Sequence, residues 1–282
     1  MIQVVKETGE LNKALADARM QHKSIGLVPT MGALHQGHLM LVKQSVTDND
    51  YTVVTVFVNP TQFNNPDDLL KYPRNLQNDV DMLEQVSCDL VFAPSSGQMY
   101  SNDELAKPFV FDFGGLDQVM EGRFRPGHFN GVVQIVSKIF DLIQPDRAYF
   151  GEKDFQQLSI IHRMNKVLGY DIEIVDCPIV RESSGLAMSS RNERLTPQQR
   201  NIAAGISKVL FECRNFVPQL NPAELKAWVV EQISGIEGLE LEYFEISNVH
   251  TLQPVVSWDE PSVGCIAVFC GEVRLIDNIR CS

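Results

Sequence analysis

The run Tyr51–Val58 is the feature of this sequence that most constrains its fold. Each of its residues is β-branched or aromatic, a composition typical of strands whose two faces are both covered. Strands of this kind occur in parallel sheets with helices on either side. The run therefore predicts a central strand of a parallel sheet, and with it a chain of the α/β class.

Other short β-branched runs alternate with longer helical patterns through the first two-thirds of the chain. Besides Tyr51–Val58, the predicted strands are Ser24–Val28, Asp89–Phe92, Arg147–Phe150 and Asp171–Val175. Apolar residues at helical spacing predict helices across residues 132–143 and 155–168. This alternation indicates βαβ units.

The character of the sequence changes after residue 176. A polar stretch is followed by two predicted helices, which begin at the capping-box patterns that start with Thr196 and Asn221. Strand-like runs then follow at Leu239–Ile246, Cys265–Phe269 and Val273–Ile276. We therefore predict a larger domain over residues 1–176 and a smaller α+β domain over residues 177–282.

Composition excludes some classes of partner. The chain has 282 residues, 44% of them hydrophobic, and a formal net charge of −12. An acidic chain is a poor binder of nucleic acids or anionic membranes, and a small anionic substrate would need a local basic pocket.

The six cysteines form no Cys-x-x-Cys pair, which indicates reduced thiols. With neither a signal-like start nor an apolar run as long as a membrane span, we expect a cytoplasmic protein.

The segment Pro29–His38 carries the strongest chemical signal. An apolar run leads into a glycine-containing turn and then a helical pattern, so backbone N–H groups and a positive dipole end are expected at a site that suits a phosphate. His35 and His38 are three residues apart and project from one helical face, where imidazoles can donate to phosphate oxygens. Two alternatives remain: a turn with solvated histidines, and a His-x-x-His metal site, which has no nearby further ligand.

Three further polar clusters occur at or near predicted strand ends, where open parallel sheets bind ligands. They are Asn59–Phe63, Gly151–Gln157 and Met188–Asn192. The first offers amides to a hydroxy acid, the second a lysine to a phosphate, and the third two hydroxyls and a guanidinium as a phosphate clamp. Each has a plainer interpretation: an Asn-Pro turn, a solvated helix start and a polar linker. The basic run Arg123–Phe129 could supply the local basic pocket that an anionic substrate needs. Its arginines could equally form surface ion pairs.

Taken in order, these motifs resemble the pantoate–β-alanine ligases, the pantothenate synthetase family of the nucleotidyltransferase superfamily. The resemblance covers almost the whole chain and rests on Pro29–His38, Phe57–Phe63, Tyr72–Arg74, Arg125–Phe129, Gly151–Leu158 and Gly185–Asn192. Small departures occur at Gln36, Phe124 and Ser183–Ser184, and none removes a residue that the chemistry needs. The resemblance implies a Rossmann-like doubly wound parallel sheet with a smaller α+β C-terminal domain that acts as a lid.

The resemblance also implies which residues bind each substrate. Residues implied for ATP are Met31, Gly32, Ala33, Leu34, His35, Gln36, Gly37, His38, Gly151, Glu152, Lys153, Asp154, Val180, Met188, Ser189, Ser190 and Arg191. Pantoate would contact Gln62 and Gln157, and β-alanine would arrive near Gln62. The implied catalytic residues are His38, as proton donor, with His35, Lys153 and Arg191. Mg²⁺ would accompany ATP without a separate protein metal site, and the assembly would be a homodimer.

The implied activity is an ATP-dependent condensation of pantoate with β-alanine through pantoyl adenylate. One alternative is a nucleotidyltransferase that keeps the adenylyl group in its product, which would share the histidine segment and the sheet but need no amine acceptor. Another is a nucleotide sensor or a tRNA-charging relative. The acidic balance and the absence of an anticodon-binding extension speak against tRNA.

Overall fold

The computed structural model describes residues 2–107 and 109–282. Its strands are β1 Gln3–Val5, β2 Ile25–Thr30, β3 Tyr51–Val56, β4 Leu90–Phe92, β5 Arg147–Gly151, β6 Glu173–Cys177, β7 Leu239–Asn248, β8 Ser262–Cys270 and β9 Val273–Arg280. Its α-helices are α1 Thr8–Met20, α2 Gln36–Asp48, α3 Pro66–Lys71, α4 Leu76–Glu84, α5 Ser96–Met99, α6 Asn102–Ala106, α7 Met120–Phe124, α8 His128–Ile143, α9 Phe155–Leu168, α10 Pro197–Arg214 and α11 Pro222–Ser234. Short 3₁₀ helices span Pro60–Gln62, Glu152–Asp154 and Ser190–Arg194.

Strands β1 to β6 form one six-stranded sheet in the order β1-β4-β3-β2-β5-β6. Every pairing in it is parallel. The chain proceeds from β2 through β3 to β4 toward one edge and from β5 to β6 toward the other, so the sheet is doubly wound. The predicted α/β class is confirmed. So is the central place of β3, where Val53 and Val54 have no exposed surface.

Most predicted strands differ from the structure by a few residues at their ends, and two differences bear on the fold. Strand β3 ends at Val56 rather than Val58, because the chain turns into the 3₁₀ helix that starts at Pro60. Strand β1 was not predicted. It contains only Gln3–Val5 and pairs with β4 at the edge of the sheet, and a three-residue edge strand has no periodic pattern to recognise.

Aspartates at the amino ends of the strands hold the parallel register. Asp50, which precedes β3, accepts a hydrogen bond from the N–H of Ser24 at 3.0 Å, and that bond is the largest cause of its lowered pKa. In the same way Asp89 accepts from Thr52 at 2.8 Å and Asp146 from Ile25 at 2.6 Å. Each carboxylate thus joins neighbouring strands at one end, which fixes where their loops emerge at the other.

Strands β7, β8 and β9 form a separate antiparallel sheet in that order. Helices α10 and α11 share a buried core with it, made up of residues such as Leu210, Val229, Phe244 and Ile266. Both predicted capping boxes are present, at Thr196 with Gln199 and at Asn221 with Glu224. The predicted α+β character of the C-terminal region is confirmed. In the described part of the chain, no helix is both long and apolar enough to cross a bilayer.

The chain groups into two compact units. The first contains Met1–Gly114, Arg125–Gly151 and Ile160–Cys177, and the second contains Gly115–Phe124, Glu152–Ser159 and Pro178–Ser282. This grouping differs from the predicted single division at residue 176. Side-chain contacts occur within the second unit: Glu121 forms an ion pair with Arg274, and Gln156 donates to the carbonyl of Leu116, which joins the two early segments to each other.

Helix α2 packs closely on β2 at Gly26. A Cβ at this glycine would lie 2.2 Å from Ser45 Oγ and 2.4 Å from Asn49 Nδ2. Neither group can move freely, since the Ser45 hydroxyl bonds to Thr52 at 2.9 Å and the Asn49 amide to Tyr149 at 2.7 Å.

We predict that Gly26→Ala lowers the free energy of unfolding by about 1–3 kcal/mol, the usual cost of overpacking a dense interior. The matched control is Gly9→Ala in the exposed part of α1, where a Cβ would meet no atom within 4 Å. It should raise stability by about 0.5–1 kcal/mol because alanine is the better helix former. Urea denaturation followed by circular dichroism measures both, and equal effects would contradict the close packing of α2.

Candidate active site

The doubly wound topology places a switch point between β2 and β5. These strands are parallel neighbours, with Gly26 paired to Arg147 and Leu27 to Ala148. The chain leaves their carboxyl ends in opposite senses, and open sheets of this type bind ligands in the crevice outside such ends. The predicted segment that begins at Met31 follows β2 directly, and Gly151 is the last residue of β5.

The turn after β2 is held by a buried carboxylate from α4. Asp79 is 1% exposed, and its oxygens accept from the N–H groups of Ala33 at 3.1 Å and Leu34 at 2.8 Å. Gly32 and Ala33 both have positive φ, at 79° and 51°. A Cβ at Gly32 would lie 2.9 Å from Asp79 Oδ2, so glycine is needed there for space as well as for conformation. Asp79 was not predicted from the sequence.

His35 and His38 form a capping box at the start of α2. The Nδ1 of His35 accepts from the N–H of Gly37 at 3.1 Å, and the Nδ1 of His38 accepts from the N–H of His35 at 3.3 Å. Their ring centroids are 4.0 Å apart, as their spacing predicted. Because Nδ1 accepts in both rings, the proton of each neutral imidazole lies on Nε2, which is therefore the donor end.

This arrangement corrects one expectation about phosphate binding. The backbone N–H groups of the turn were expected to be free for an anion, but several of them donate to protein acceptors. They are those of Gly32, Ala33, Leu34, His35 and Gly37. The N–H groups of these five residues are therefore already engaged within the protein, whereas the Nε2 atoms of His35 and His38 carry the ring protons of the neutral imidazoles.

Gln62 is held by a buried amide network. Its Oε1 accepts from Asn59 Nδ2 at 3.0 Å, and the same nitrogen donates to the carbonyl of Gly131 at 3.0 Å. Asn59 Oδ1 in turn accepts from the hydroxyl of Tyr100 at 2.8 Å. Burial raises the pKa of Tyr100 to about 12, so the phenol keeps the proton that it donates. Asn59 is thereby fixed, and its fixed amide orients Gln62.

The Gln62 amide nitrogen is directed toward the histidine segment, since it donates to Met31 Sδ at 3.2 Å. Helix α8 supports the same turn: His128 Nδ1 is 2.8 Å from the Gln62 carbonyl oxygen. A Cβ at Gly131 would lie 2.3 Å from the carbonyl oxygen of Thr61. The first unit thus brings Met31 and Gln62 into contact, while the sequence had singled out neither Tyr100 nor Gly131.

The second unit holds the segment that follows β5. Glu152–Asp154 forms a 3₁₀ turn, and Lys153 Nζ lies 3.8 Å from Asp154 Oδ2, with exposed side-chain fractions of 18% and 48%. Gln157 is half-buried in the first turn of α9. The neighbouring Gln156 is buried, and it donates to the carbonyls of Leu116 and Val119. Of the two glutamines, Gln157 is the one accessible to a ligand.

The predicted serine–arginine loop begins in a hairpin. The N–H of Met188 donates to the carbonyl of Val180 at 2.9 Å, and Arg181 pairs with Ala187 in an antiparallel bridge. Ser189 then caps the 3₁₀ helix Ser190–Arg194, accepting from the N–H of Arg191 at 3.3 Å. The Val180 and Met188–Arg191 segments predicted to bind ATP are therefore brought together within the second unit.

A metal site built from protein ligands is not found among residues 2–107 and 109–282. No group of three or more His, Cys, Asp or Glu side chains there is placed to hold an ion. The six cysteines are buried free thiols, and burial raises the pKa of Cys88 to about 12. Cys88 is therefore a poor metal ligand and a poor nucleophile.

Comparisons with known proteins match this chain along nearly its whole length. A family model described as pantoate-beta-alanine ligase matches residues 3–280. The pantothenate synthetase of Bacteroides thetaiotaomicron is 55% identical over 281 residues, covering 99% of each chain. That of Porphyromonas gingivalis is 47% identical, with the same coverage.

Solved structures agree with the sequence comparisons. A pantothenate synthetase from Thermus thermophilus superposes with a TM-score of 0.93 at 39% identity, covering 99% of both chains. A pantoate-beta-alanine ligase from Francisella tularensis, complexed with beta-gamma ATP and beta-alanine, superposes with a TM-score of 0.82 at 33% identity. The match covers 99% of this chain and 98% of that one. The chain belongs to the pantoate-beta-alanine ligase family.

Proposed function

We propose that this chain condenses pantoate with β-alanine at the expense of ATP, giving pantothenate, AMP and diphosphate through a pantoyl-adenylate intermediate. Family membership over residues 3–280 supports the reaction. The observation that carries its assignment to particular residues is the histidine capping box: two imidazoles at the sheet's switch point, each with Nδ1 engaged and Nε2 as the donor end.

The chemistry requires activation of a carboxylate, which is a poor electrophile. A pantoate carboxylate oxygen attacks the α-phosphorus of ATP, the bond to the bridging oxygen breaks, and diphosphate leaves. Charge grows on the leaving group as that bond breaks, so donors aimed at it accelerate the step. We assign this role to His35, His38, Lys153 and Arg191, with His38 as proton donor, and to the hydroxyls of Ser189 and Ser190.

Pantoate binding is assigned to Gln62 and Gln157. The Asn59 network supports this for Gln62, because a pre-oriented amide loses little freedom when it binds a hydroxy acid. The amine of β-alanine, arriving near Gln62, then attacks the acyl carbon of the mixed anhydride, and AMP leaves. The adenylate is sensitive to hydrolysis, and we propose that the hairpin before Met188 belongs to the lid that excludes water.

Mg²⁺ is proposed to enter with ATP rather than in a resident site. Mg²⁺ in nucleotide enzymes takes most of its ligands from phosphates and water, with one or two carboxylates. Asp154, half-exposed beside Lys153, is the carboxylate that we assign to it. A homodimeric assembly and a cytoplasmic location also belong to this proposal.

The test of the proposal is pantoate-dependent exchange of labelled diphosphate into ATP, with Mg²⁺ present and β-alanine withheld. Exchange shows that an acyl adenylate forms before any amine binds. Addition of β-alanine should then release AMP and pantothenate in equal amounts. A product that retains the adenylyl group would instead support the alternative nucleotidyltransferase activity.

For Lys153→Ala we predict a loss of at least 100-fold in the exchange rate, with a much smaller effect on pantoate binding. The reason is that the ammonium acts on triphosphate charge rather than on the acid. Rapid-quench exchange and pantoate titration measure the two quantities. Lys226→Ala, which removes an exposed lysine paired with Glu245, is the matched control. Equal losses in exchange and in pantoate affinity would sink the assignment of Lys153.

For Tyr100→Phe we predict a rise of roughly 3- to 10-fold in the KM for pantoate, with the KM for ATP unchanged. Removal of the hydroxyl deletes one buried hydrogen bond to Asn59, worth about 1 kcal/mol, and loosens Gln62. Tyr170→Phe is the matched control, because its hydroxyl bonds instead to Asp141 at 2.8 Å. The role given to the network is wrong if both phenylalanine variants change pantoate kinetics alike.

A further inference from the structure

Strand β9, the last strand of the second unit, contains two adjacent buried polar residues. Asp277 is 5% exposed and Asn278 is 4% exposed. Burying a carboxylate or an amide is costly unless its polar atoms are bonded. Both side chains meet this requirement through contacts with segments that lie far away in sequence.

Asn278 holds the backbone that carries Lys153. Its Nδ2 donates to the carbonyl of Glu152 at 2.7 Å and to that of Lys153 at 3.0 Å. An amide nitrogen has two hydrogens, so this fork uses both of them on consecutive carbonyls. Arg280, two residues further along β9, adds an ion pair to the Glu152 side chain at 3.0 Å. The position from which the Lys153 side chain extends is therefore set by β9.

Asp277 holds the hairpin that leads to Met188. Its carboxylate pairs with both terminal nitrogens of Arg181, at 2.6 and 2.9 Å. Arg181 also donates to the carbonyl of Gly185, at 3.2 Å. Two-pronged pairs of this kind fix geometry as well as adding energy. The hairpin is thus fastened to β9 near its base and at its turn.

Successive side chains of a strand project from opposite faces, so this one pair of adjacent residues can hold two segments that lie far apart in sequence. We infer that Asp277 and Asn278 are positioning residues for adenylation, Asn278 acting through Lys153 and Asp277 through the hairpin that leads to Arg191. The inference rests on the proposed function of those two segments. Its physical basis is that a displacement of about 1 Å in a charge-stabilising group can cost roughly 100-fold in rate.

The test is a double-mutant cycle on the full-length protein, with diphosphate exchange as the readout. Asn278→Ala should lower exchange at least tenfold in the wild-type background and less than threefold in the Lys153→Ala background. Asp277→Asn should likewise lower exchange at least tenfold in the wild-type background and less than threefold in the Arg191→Ala background. Enzyme concentrations are raised until the slowest variant exchanges measurably above the enzyme-free rate.

A second readout separates positioning from general damage. Attack of β-alanine on enzyme-bound pantoyl adenylate takes place after diphosphate has left, so Asn278→Ala should keep that half-reaction within threefold of the wild-type rate. Glu245→Gln is the matched control: Glu245 lies on the same row of the sheet, paired with Cys265, which pairs with Asn278. It should leave both half-reactions within twofold.

The outcomes distinguish the inference from the proposed function. A wild-type protein without exchange would refute the function before any variant is made. With an active wild type, equal losses in both half-reactions, additive effects in the cycles, or failure of the Asn278→Ala and Asp277→Asn variants to fold would overturn the inference. The expected result is a loss of diphosphate exchange without a loss of the second half-reaction. That loss should be much smaller when Lys153 or Arg191 has already been replaced by alanine.

Discussion

The turn after β2 in the first unit depends on one buried carboxylate. Asp79 accepts from consecutive N–H groups of the turn after β2 and holds Ala33 at a positive φ that a side chain rarely adopts. Without that acceptor the turn would have no compensation for its strain. The position of His35, and through it the start of α2, follows from this turn. A negative charge beside a predicted phosphate segment thus acts as a backbone clamp.

In the second unit, strand β9 holds the backbone segment that carries Lys153 and the hairpin that leads to Arg191. These two residues are 38 positions apart in sequence, so the chain connection alone does not fix the position of one segment relative to the other. Residues on the last strand bond to the backbone of one segment and to the hairpin of the other. The same strand fastens α7 through Arg274 and Glu121. The small antiparallel sheet is therefore a frame as well as a hydrophobic layer.

Local patterns predicted most of the elements and the close pairing of His35 with His38, because spacing determines which side chains face together and which strands are covered on both faces. The residues that hold these segments in place, Asp79, Asp277 and Asn278, were not predicted, for physical reasons. Asp79 occupies the apolar stripe of α4 beside Leu76 and Leu83, a misplaced charge whose partner lies 46 residues away. Asp277 and Asn278 interrupt an apolar run, so the predicted strand ended at Ile276 while β9 continues to Arg280. In both cases a polar residue where the pattern requires an apolar one was the available signal.

The capping box of His35 and His38 also determines which nitrogen of each ring carries the proton. A ring nitrogen that accepts a hydrogen bond has no lone pair left for a proton, so charging either imidazole means giving up the bond that begins α2. In the neutral form each ring carries its proton on Nε2 and acts on an acceptor there as a hydrogen-bond donor. The backbone holds the other nitrogen, so one tautomer is selected in both rings. The same two bonds that begin a helix thus also fix the chemical form of two side chains.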